Sequence, residues 1–268
     1  MDRIKAAVVQ VCSDDDTERS CRRASELVRQ AAEDGATLIC VPENVGYLKI
    51  ADRRDPGEST ESSVIVGCFS ELARSLDVSI LVGSFHRKSD DATRAYNTSI
   101  LLDNQGKVAG SYDKIHLFDI DLDPNTRFCE SDDIVAGAET VVAKLGQTHI
   151  GLSVCYDLRF PELYRQLAAD GAEIITIPAA FTERTGRDHW ELLLRARAVE
   201  NQCFVLAPDQ WGYHGGNRHS YGHSMIIDPW GHVLARVGDG EGWASAWLEP
   251  DKLTSIRRNM PCIEHQRL

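Results

Sequence analysis

Two hydrophobic patterns take turns along this chain. Short continuous apolar runs, the mark of strands buried on both faces, cover residues 6–11, 37–41, 78–83, 150–154, 174–177 and 204–207. Between them lie stretches with apolar residues at helical spacing. The clearest carries Ile65, Cys68, Phe69, Leu72, Ala73 and Leu76 on one face. Residues 17–34 predict a helix with Cys21, Ala24, Val28 and Ala31 inward and Gly35 as its stop. Pro161, suited to a first helical position, opens a helix to Ala169. A charged helix is predicted over about residues 188–201: Asp188 and Glu191 have capping-box spacing, Glu191 can pair with Arg195, and Trp190, Leu193, Leu194 and Ala198 face inward.

The middle of the chain breaks this rhythm. Residues 97–102 and 107–112 read as a hairpin around Asp103-Asn104-Gln105-Gly106, and 224–228 and 233–235 as another around Asp228-Pro229-Trp230-Gly231. The polar stretch 119–137 reads as a long loop, a length usually kept for function. No Pro-, Gly- or Ser-rich linker divides the chain and no solenoid repeat appears. The expectation is one domain, 1–268, mixing parallel α/β units with antiparallel hairpins. The tail 253–268, with Arg257, Arg258, His265 and Arg267, reads as a strap on this chain or on a neighbouring subunit, or as a frayed end.

Composition narrows the class. With 268 residues, 43% hydrophobic and 26% charged, the chain can bury a full core without staples. A net charge of −12 argues against nucleic acid or an anionic membrane as main partner, while leaving room for a small anionic substrate held by a local cation. The eight cysteines form no C-x-x-C pair, and most sit in apolar segments, as small buried hydrophobes of a reducing compartment do. The amino terminus runs straight into a strand, and no stretch is long enough to span a bilayer, so a cytoplasmic location is expected.

Three strand ends present reactive groups. Cys155 follows the apolar run Ile150-Gly151-Leu152-Ser153-Val154, where an α/β fold opens its ligand crevice. A free thiol, with a pKa of about 8.5, needs a base, a cation or a helix amino terminus to act as nucleophile. None of the nine histidines has an obvious strand-end carboxylate to orient it. Glu43 follows Cys40-Val41-Pro42; burial there is expected to raise its pKa and suit it to general-base work. Lys114 follows Ser111-Tyr112-Asp113 and can steady an oxyanion, an effect of roughly 3–4 kcal/mol when well placed. Taken singly, each has a plainer reading: a structural thiol, a surface ion pair, a solvated charge. Together they form the set that acyl transfer through a thioester requires.

The segments Val41-Pro42-Glu43, Tyr112-Asp113-Lys114-Ile115-His116-Leu117-Phe118-Asp119 and Cys155-Tyr156-Asp157-Leu158-Arg159-Phe160-Pro161-Glu162-Leu163 resemble, in order and spacing, the three signature blocks of the nitrilase (carbon–nitrogen hydrolase) superfamily. The resemblance covers nearly the whole chain. It implies a four-layer α-β-β-α sandwich, a Glu-Lys-Cys triad, no metal or organic cofactor, and a homodimer paired through a helical face. Carried onto this sequence, it makes Cys155 the nucleophile, Glu43 the general base, and Lys114 with the Tyr156 N–H the oxyanion site. Phe128-Cys129-Glu130-Ser131 matches the segment of a second glutamate, which makes Glu130 a residue that positions substrate and lysine.

Within the superfamily the chain resembles the Nit group of small amidases through Pro178-Ala179-Ala180-Phe181-Thr182, Thr185-Gly186 and the segment 189–202. Two reactions compete there: hydrolysis of deaminated glutathione, and omega-amidase action on 2-oxoglutaramate or 2-oxosuccinamate. Residues 220–231, with His214, Arg218 and the segment 260–265, resemble the first type. The chain departs from the usual pattern at 208–213 and at 121–127. An N-carbamoyl hydrolase and a catalytically silent relative are the further alternatives; the intact triad argues against the latter. Because both amide substrates are anionic, a cation besides Lys114 is expected. Arg159 and Arg184 are the candidates, and Phe181 and Trp211 are candidate pocket walls. Arg159 has the alternative of bracing its turn through Asp157 or Glu162.

Overall fold

In the computed structural model, which describes residues 1–50, 57–123, 126–216 and 218–267, the chain builds two six-stranded sheets stacked face to face. The first half alternates β1 (Ile4–Gln10), α1 (Thr17–Glu33), β2 (Leu38–Cys40), α2 (Val64–Leu76) and β3 (Ser79–Lys88), then turns back through β4 (Ala95–Leu102) and β5 (Val108–Asp113). A small two-stranded ribbon follows, β6 (Asp119–Asp123) and β7 (Thr126–Cys129). The second half runs β8 (Val142–Leu145), β9 (Thr148–Leu152), α3 (Pro161–Ala169), β10 (Ile174–Thr176), α4 (Glu183–Asn201) and β11 (Phe204–Ala207). A second ribbon, β12 (Trp211–Gly215) and β13 (Arg218–Tyr221), precedes β14 (Met225–Ile227), β15 (Val233–Arg236), β16 (Gly242–Leu248) and α5 (Pro250–Asn259).

The period of two in each strand explains the layering. Along β1, Ala6 and Val8 enter the core shared by the two sheets, while Ala7 and Val9 pack beneath α1 and α2 with Val28, Phe69 and Leu72. In the second sheet Gly151 lies against Leu167 of α3, so Ile150 and Leu152, on the opposite face of the strand, turn toward the first sheet, where Leu152 approaches Gly110 of β5. The result is the expected α-β-β-α sandwich. The strand order is β16-β1-β2-β3-β4-β5 in one sheet and β15-β14-β11-β10-β9-β8 in the other. β1, β2 and β3 run parallel, as do β9, β10 and β11, so their carboxyl ends gather at one edge.

Two expectations change. The stretch 119–137 is not a bare loop: it holds the β6–β7 ribbon and a short 3-10 turn, Glu130–Asp132. The alternation Asp119-Ile120-Asp121-Leu122-Asp123 is itself a strand signal. Positions 124 and 125, part of the divergent segment 121–127, lie outside the described residues. Helix α4 begins at Glu183 after an extended Thr182, five residues before the predicted start, so Asp188 lies inside the helix and caps nothing. Gly186 lies inside this helix, where the close approach of the Tyr221 side chain leaves no room for a Cβ. Glu191 and Arg195 do pair, at 3.5 Å. The first part of the tail takes one of the expected forms, a strap on its own chain: Leu253 enters the core, and Arg257 donates to the carbonyls of Gln202 at 3.0 Å and Ala172 at 2.7 Å.

Candidate active site

Glu43, Lys114 and Cys155 meet at the carboxyl-end crevice, each delivered by a strand that has just ended. Beyond β2 the chain runs Val41-Pro42-Glu43 into Asn44, whose φ of 56° turns it sharply. Cys155 follows β9 and opens a 3-10 turn, Cys155–Arg159, at a φ of 49°. That left-handed conformation is costly for a side-chain-bearing residue and persists because its surroundings enforce it. The Cys155 N–H donates to the Pro178 carbonyl at 2.9 Å.

The same turn is pinned from within by Asp157, a fully buried carboxylate. Its Oδ2 accepts from the Val154 N–H and the Tyr112 hydroxyl, both at 2.8 Å. Its Oδ1 accepts from the His116 N–H at 3.0 Å and lies 2.7 Å from His116 Nδ1. Residues of the lysine block thus hold the cysteine turn. A histidine–carboxylate pair does exist here, contrary to the sequence reading, but it stacks on Phe160 and serves the turn instead of the thiol.

Lys114 is buried with two carboxylates around it. Its Nζ donates to Glu43 Oε1 at 3.0 Å and to Glu130 Oε1 and Oε2 at 3.0 and 2.8 Å. Burial pulls its pKa down, but Glu130, Glu43 and Cys155 outweigh burial and hold the pKa well above the usual value. Asn97, on β4, completes the cluster by donating to Glu43 at 2.8 Å and Glu130 at 3.1 Å. Glu130 Oε2 also accepts from the Phe118 N–H at 2.7 Å, which fixes the 3-10 turn to the chain just beyond the lysine.

Glu43 corrects one expectation. Burial does push its pKa up, but the Lys114 charge, a hydrogen bond with Cys155 and the Ala180 N–H at 2.9 Å outweigh it, leaving the pKa below the ordinary value. The thiol moves the other way: burial and the Glu43 charge lift Cys155 well above its usual value, with Lys114 opposing. At neutral pH the resting pair is therefore a carboxylate and a thiol. Proton transfer to Glu43 then has to accompany attack by sulfur, because the two groups face each other in the cavity.

A cavity of about 360 Å³ opens onto these groups, a volume suited to a small molecule. Phe118, Phe128, Tyr156 and Phe181 give it apolar walls. Phe181 and Arg184 line it as expected from sequence. Arg159 and Trp211 are not among the lining residues: Arg159 sits over the rings of Tyr156 and Phe181, 3.3 Å from His189, and Trp211 packs against Gly222. Arg159 forms no ion pair with Asp157 or Glu162 among the described residues, so its bracing partner is His189. The sequence reading missed Asn97 and Asp157, and it used Arg218 only as a marker of resemblance although Arg218 lines the cavity. Among the described residues no group of three or more His, Cys, Asp or Glu side chains is arranged to hold a metal, and no helix is long and apolar enough to cross a membrane.

A two-sheet sandwich with a thiol, a carboxylate and a buried ammonium at one strand edge defines a class able to open carbonyl compounds by acyl transfer. The carbon–nitrogen hydrolase family profile matches residues 5–258, and the chain belongs to that family of hydrolases acting on carbon–nitrogen bonds. It is 39% identical over 269 residues to a deaminated glutathione amidase of Synechocystis sp., covering 97% of each chain. It is 41% identical over 272 residues to the Homo sapiens protein of the same name, covering 97% of this chain and 81% of that one. Its fold matches the crystal structure of the Caenorhabditis elegans NitFhit protein with a TM-score of 0.90 at 35% identity; the match covers 99% of this chain and spans 65% of the length of that longer protein.

Proposed function

We propose that this protein is an amidase that hydrolyses the amide bond of deaminated glutathione through a thioester on Cys155. The observation that carries the chemistry is the convergence of Cys155, Glu43 and Lys114 on one cavity, with Lys114 Nζ donating to Glu43 at 3.0 Å. The named relatives, similar over almost the full chain, support the substrate.

Glu43 takes the thiol proton as Cys155 Sγ attacks the amide carbonyl. The oxyanion is met by Lys114 and the Tyr156 N–H. Lys114 can serve because Glu130 and Asn97 hold the other side of the cluster, so the ammonium need not move to its target. Glu43 then protonates the leaving amine, and the C–N bond breaks. Water, deprotonated by the same carboxylate, attacks the thioester; sulfur leaves, takes back the proton, and the acid is released.

The eight cysteines, free among the described residues, fit a reducing cytoplasmic setting. The exposed Leu192 and Val199 on the outer face of α4, with Trp230 close by, fit a homodimer built on that helix. Sedimentation equilibrium of the protein and of Leu192→Glu tests the assembly: a monomeric variant supports it, an unchanged species refutes it.

The substrate is tested by comparing kcat/KM for deaminated glutathione and 2-oxoglutaramate. Preference for 2-oxoglutaramate would make the enzyme an omega-amidase. The mechanism is tested by rapid mixing: a burst of amine ahead of acid is expected, and Cys155→Ser that kept full activity would remove the thiol from the mechanism.

A further inference from the structure

We propose that Arg218 anchors the carboxylate at the far end of the leaving amine, and so selects amides of carboxylate-bearing amines over simple primary amides. The inference rests on the amidase reading above and adds a specificity residue to it.

Among the described residues, four cationic side chains line the cavity: Lys49, Lys114, Arg184 and Arg218. Lys49 is paired with Asp133 at 2.6 Å, Lys114 with Glu43 and Glu130, and Arg184 is engaged in a contact of its own. Arg218 alone makes no hydrogen bond or ion pair to a described residue, although it is largely withdrawn from solvent. A guanidinium brings five donors in a fixed fork that matches a carboxylate, and leaving them unfilled in a partly dry site is costly. Glu43, Glu130 and Asp133, which line the same cavity, act on it through charge without hydrogen-bonding to it.

Its position is built, not incidental. The β12–β13 ribbon that carries it is tied to the catalytic crevice at both edges. The Tyr221 N–H donates to the Phe181 carbonyl at 2.8 Å, and the Trp211 N–H to the Val11 carbonyl at 3.0 Å. Inside the ribbon, His214 bridges the Ser13 carbonyl at 2.8 Å and the Ser220 hydroxyl at 2.9 Å. Arg218 faces Gly215 across an irregular register, so the head of the side chain is free to reach into the cavity.

Charge says what it takes. Glu43 and Glu130 against Lys114 leave the reacting floor with one net negative charge, which repels an anionic amide unless another cation draws it in. Glu43 marks the leaving-amine side of the scissile bond, because it hands that amine its proton, and Arg218 lines the same cavity as Glu43. In deaminated glutathione the leaving amine is cysteinylglycine, which ends in a carboxylate; in 2-oxoglutaramate it is ammonia. Binding energy gained at that remote carboxylate is available for positioning the amide over the thiol.

The test compares both substrates with wild type, Arg218→Gln and Arg218→Lys. For Arg218→Gln, kcat/KM on deaminated glutathione should fall about 100-fold, mostly through KM, while kcat/KM on 2-oxoglutaramate stays within about threefold; Arg218→Lys should recover part of the loss. Equal losses on both substrates, or none, overturn the assignment. A second readout needs no turnover. Alanylglycine and its amide, alanylglycinamide, are compared as protectants of Cys155 against iodoacetamide. Better protection by the acid, lost in Arg218→Gln, upholds the anchor; equal protection by acid and amide in wild type, or none by either, overturns it. A wild-type enzyme inert toward deaminated glutathione sinks the substrate reading, and the protection experiment still decides on Arg218.

Discussion

Tyr112 and Asp157 tie the strand that leads to Lys114 to the turn that presents Cys155: the phenol donates to Asp157 Oδ2 at 2.8 Å, in full burial. Asp157 accepts three further contacts there, so one carboxylate sets the spacing between the cation and the thiol. Tyr112→Phe removes one donor and should cost about 1 kcal/mol in urea unfolding, with iodoacetamide labelling of Cys155 little changed. Asp157→Asn puts amide hydrogens where donors already point and should cost about 3 kcal/mol, with a large loss of activity. If Asp157→Asn were as stable and active as wild type, the turn would have to be held by something else.

Asp209 makes a separate prediction. It is fully buried; Oδ1 accepts from the Phe181 N–H at 2.8 Å, and Oδ2 has no partner among the described residues. Burial pushes its pKa well above the carboxylate range, the Phe181 N–H opposing and the Glu43 charge reinforcing. For a group raised on folding, stability is intact below the unfolded pKa and declines as pH rises toward the folded one, by at most about 1.4 kcal/mol per pH unit. Asp209→Asn cannot ionise and escapes that decline. Its Tm relative to wild type should therefore climb between pH 4 and pH 7; a constant difference would show that Asp209 is ionised in the folded protein.

Glu43, Lys114 and Cys155 were legible because each stands directly after an apolar run, and a strand end is where the fold opens. Glu130 needed the family resemblance, since it sits in a short 3-10 turn with no periodicity. Asn97 was hidden because it is an ordinary inward position of β4; only the neighbouring carboxylates give it a role. Asp157 and His116 are far apart in sequence, and local patterning carries no information on such a pair. The start of α4 was misplaced because Asp188 and Glu191 have capping-box spacing yet lie inside a helix that begins five residues earlier, after the extended Thr182. The sign of the Glu43 shift failed for a similar reason: burial was visible in the sequence, while the ammonium and thiol that outweigh it are tertiary neighbours.

Gly83 tests how the general base is aimed. It lies where β3 departs from regular pairing with β4, and a Cβ there would land on the carbonyls of Val41 and Pro42. The next residue, Ser84, accepts the Asn44 N–H at 3.0 Å, so β3 holds the chain on both sides of Glu43. Gly83→Ala must displace that backbone, with a stability cost of about 1–3 kcal/mol. Its kcat should fall more than its KM rises, because the base is misdirected while the cavity walls remain. A loss confined to KM would mean that Gly83 shapes the substrate pocket and not the base.

Lys114 sets the charge state of Glu43, and pH reveals it. In wild type the Glu43 pKa is depressed, so its stabilising interaction is present above the unfolded carboxylate value and is lost only as pH falls through the folded one. The proton acceptor for Cys155 is thus available well into the acid range. Lys114→Met removes the strongest opposing charge and leaves burial in command, so the Glu43 pKa should move above its ordinary value, at a stability cost of about 3–5 kcal/mol for the two carboxylates left without their cation. Slow alkylation of Cys155 by iodoacetamide across the pH range reads this without requiring turnover. The acid limb of the rate should shift to higher pH in Lys114→Met and vanish in Glu43→Gln. An acid limb at the same pH in Lys114→Met and wild type would show that the lysine contributes to the oxyanion site alone and does not hold Glu43 in its ionised form.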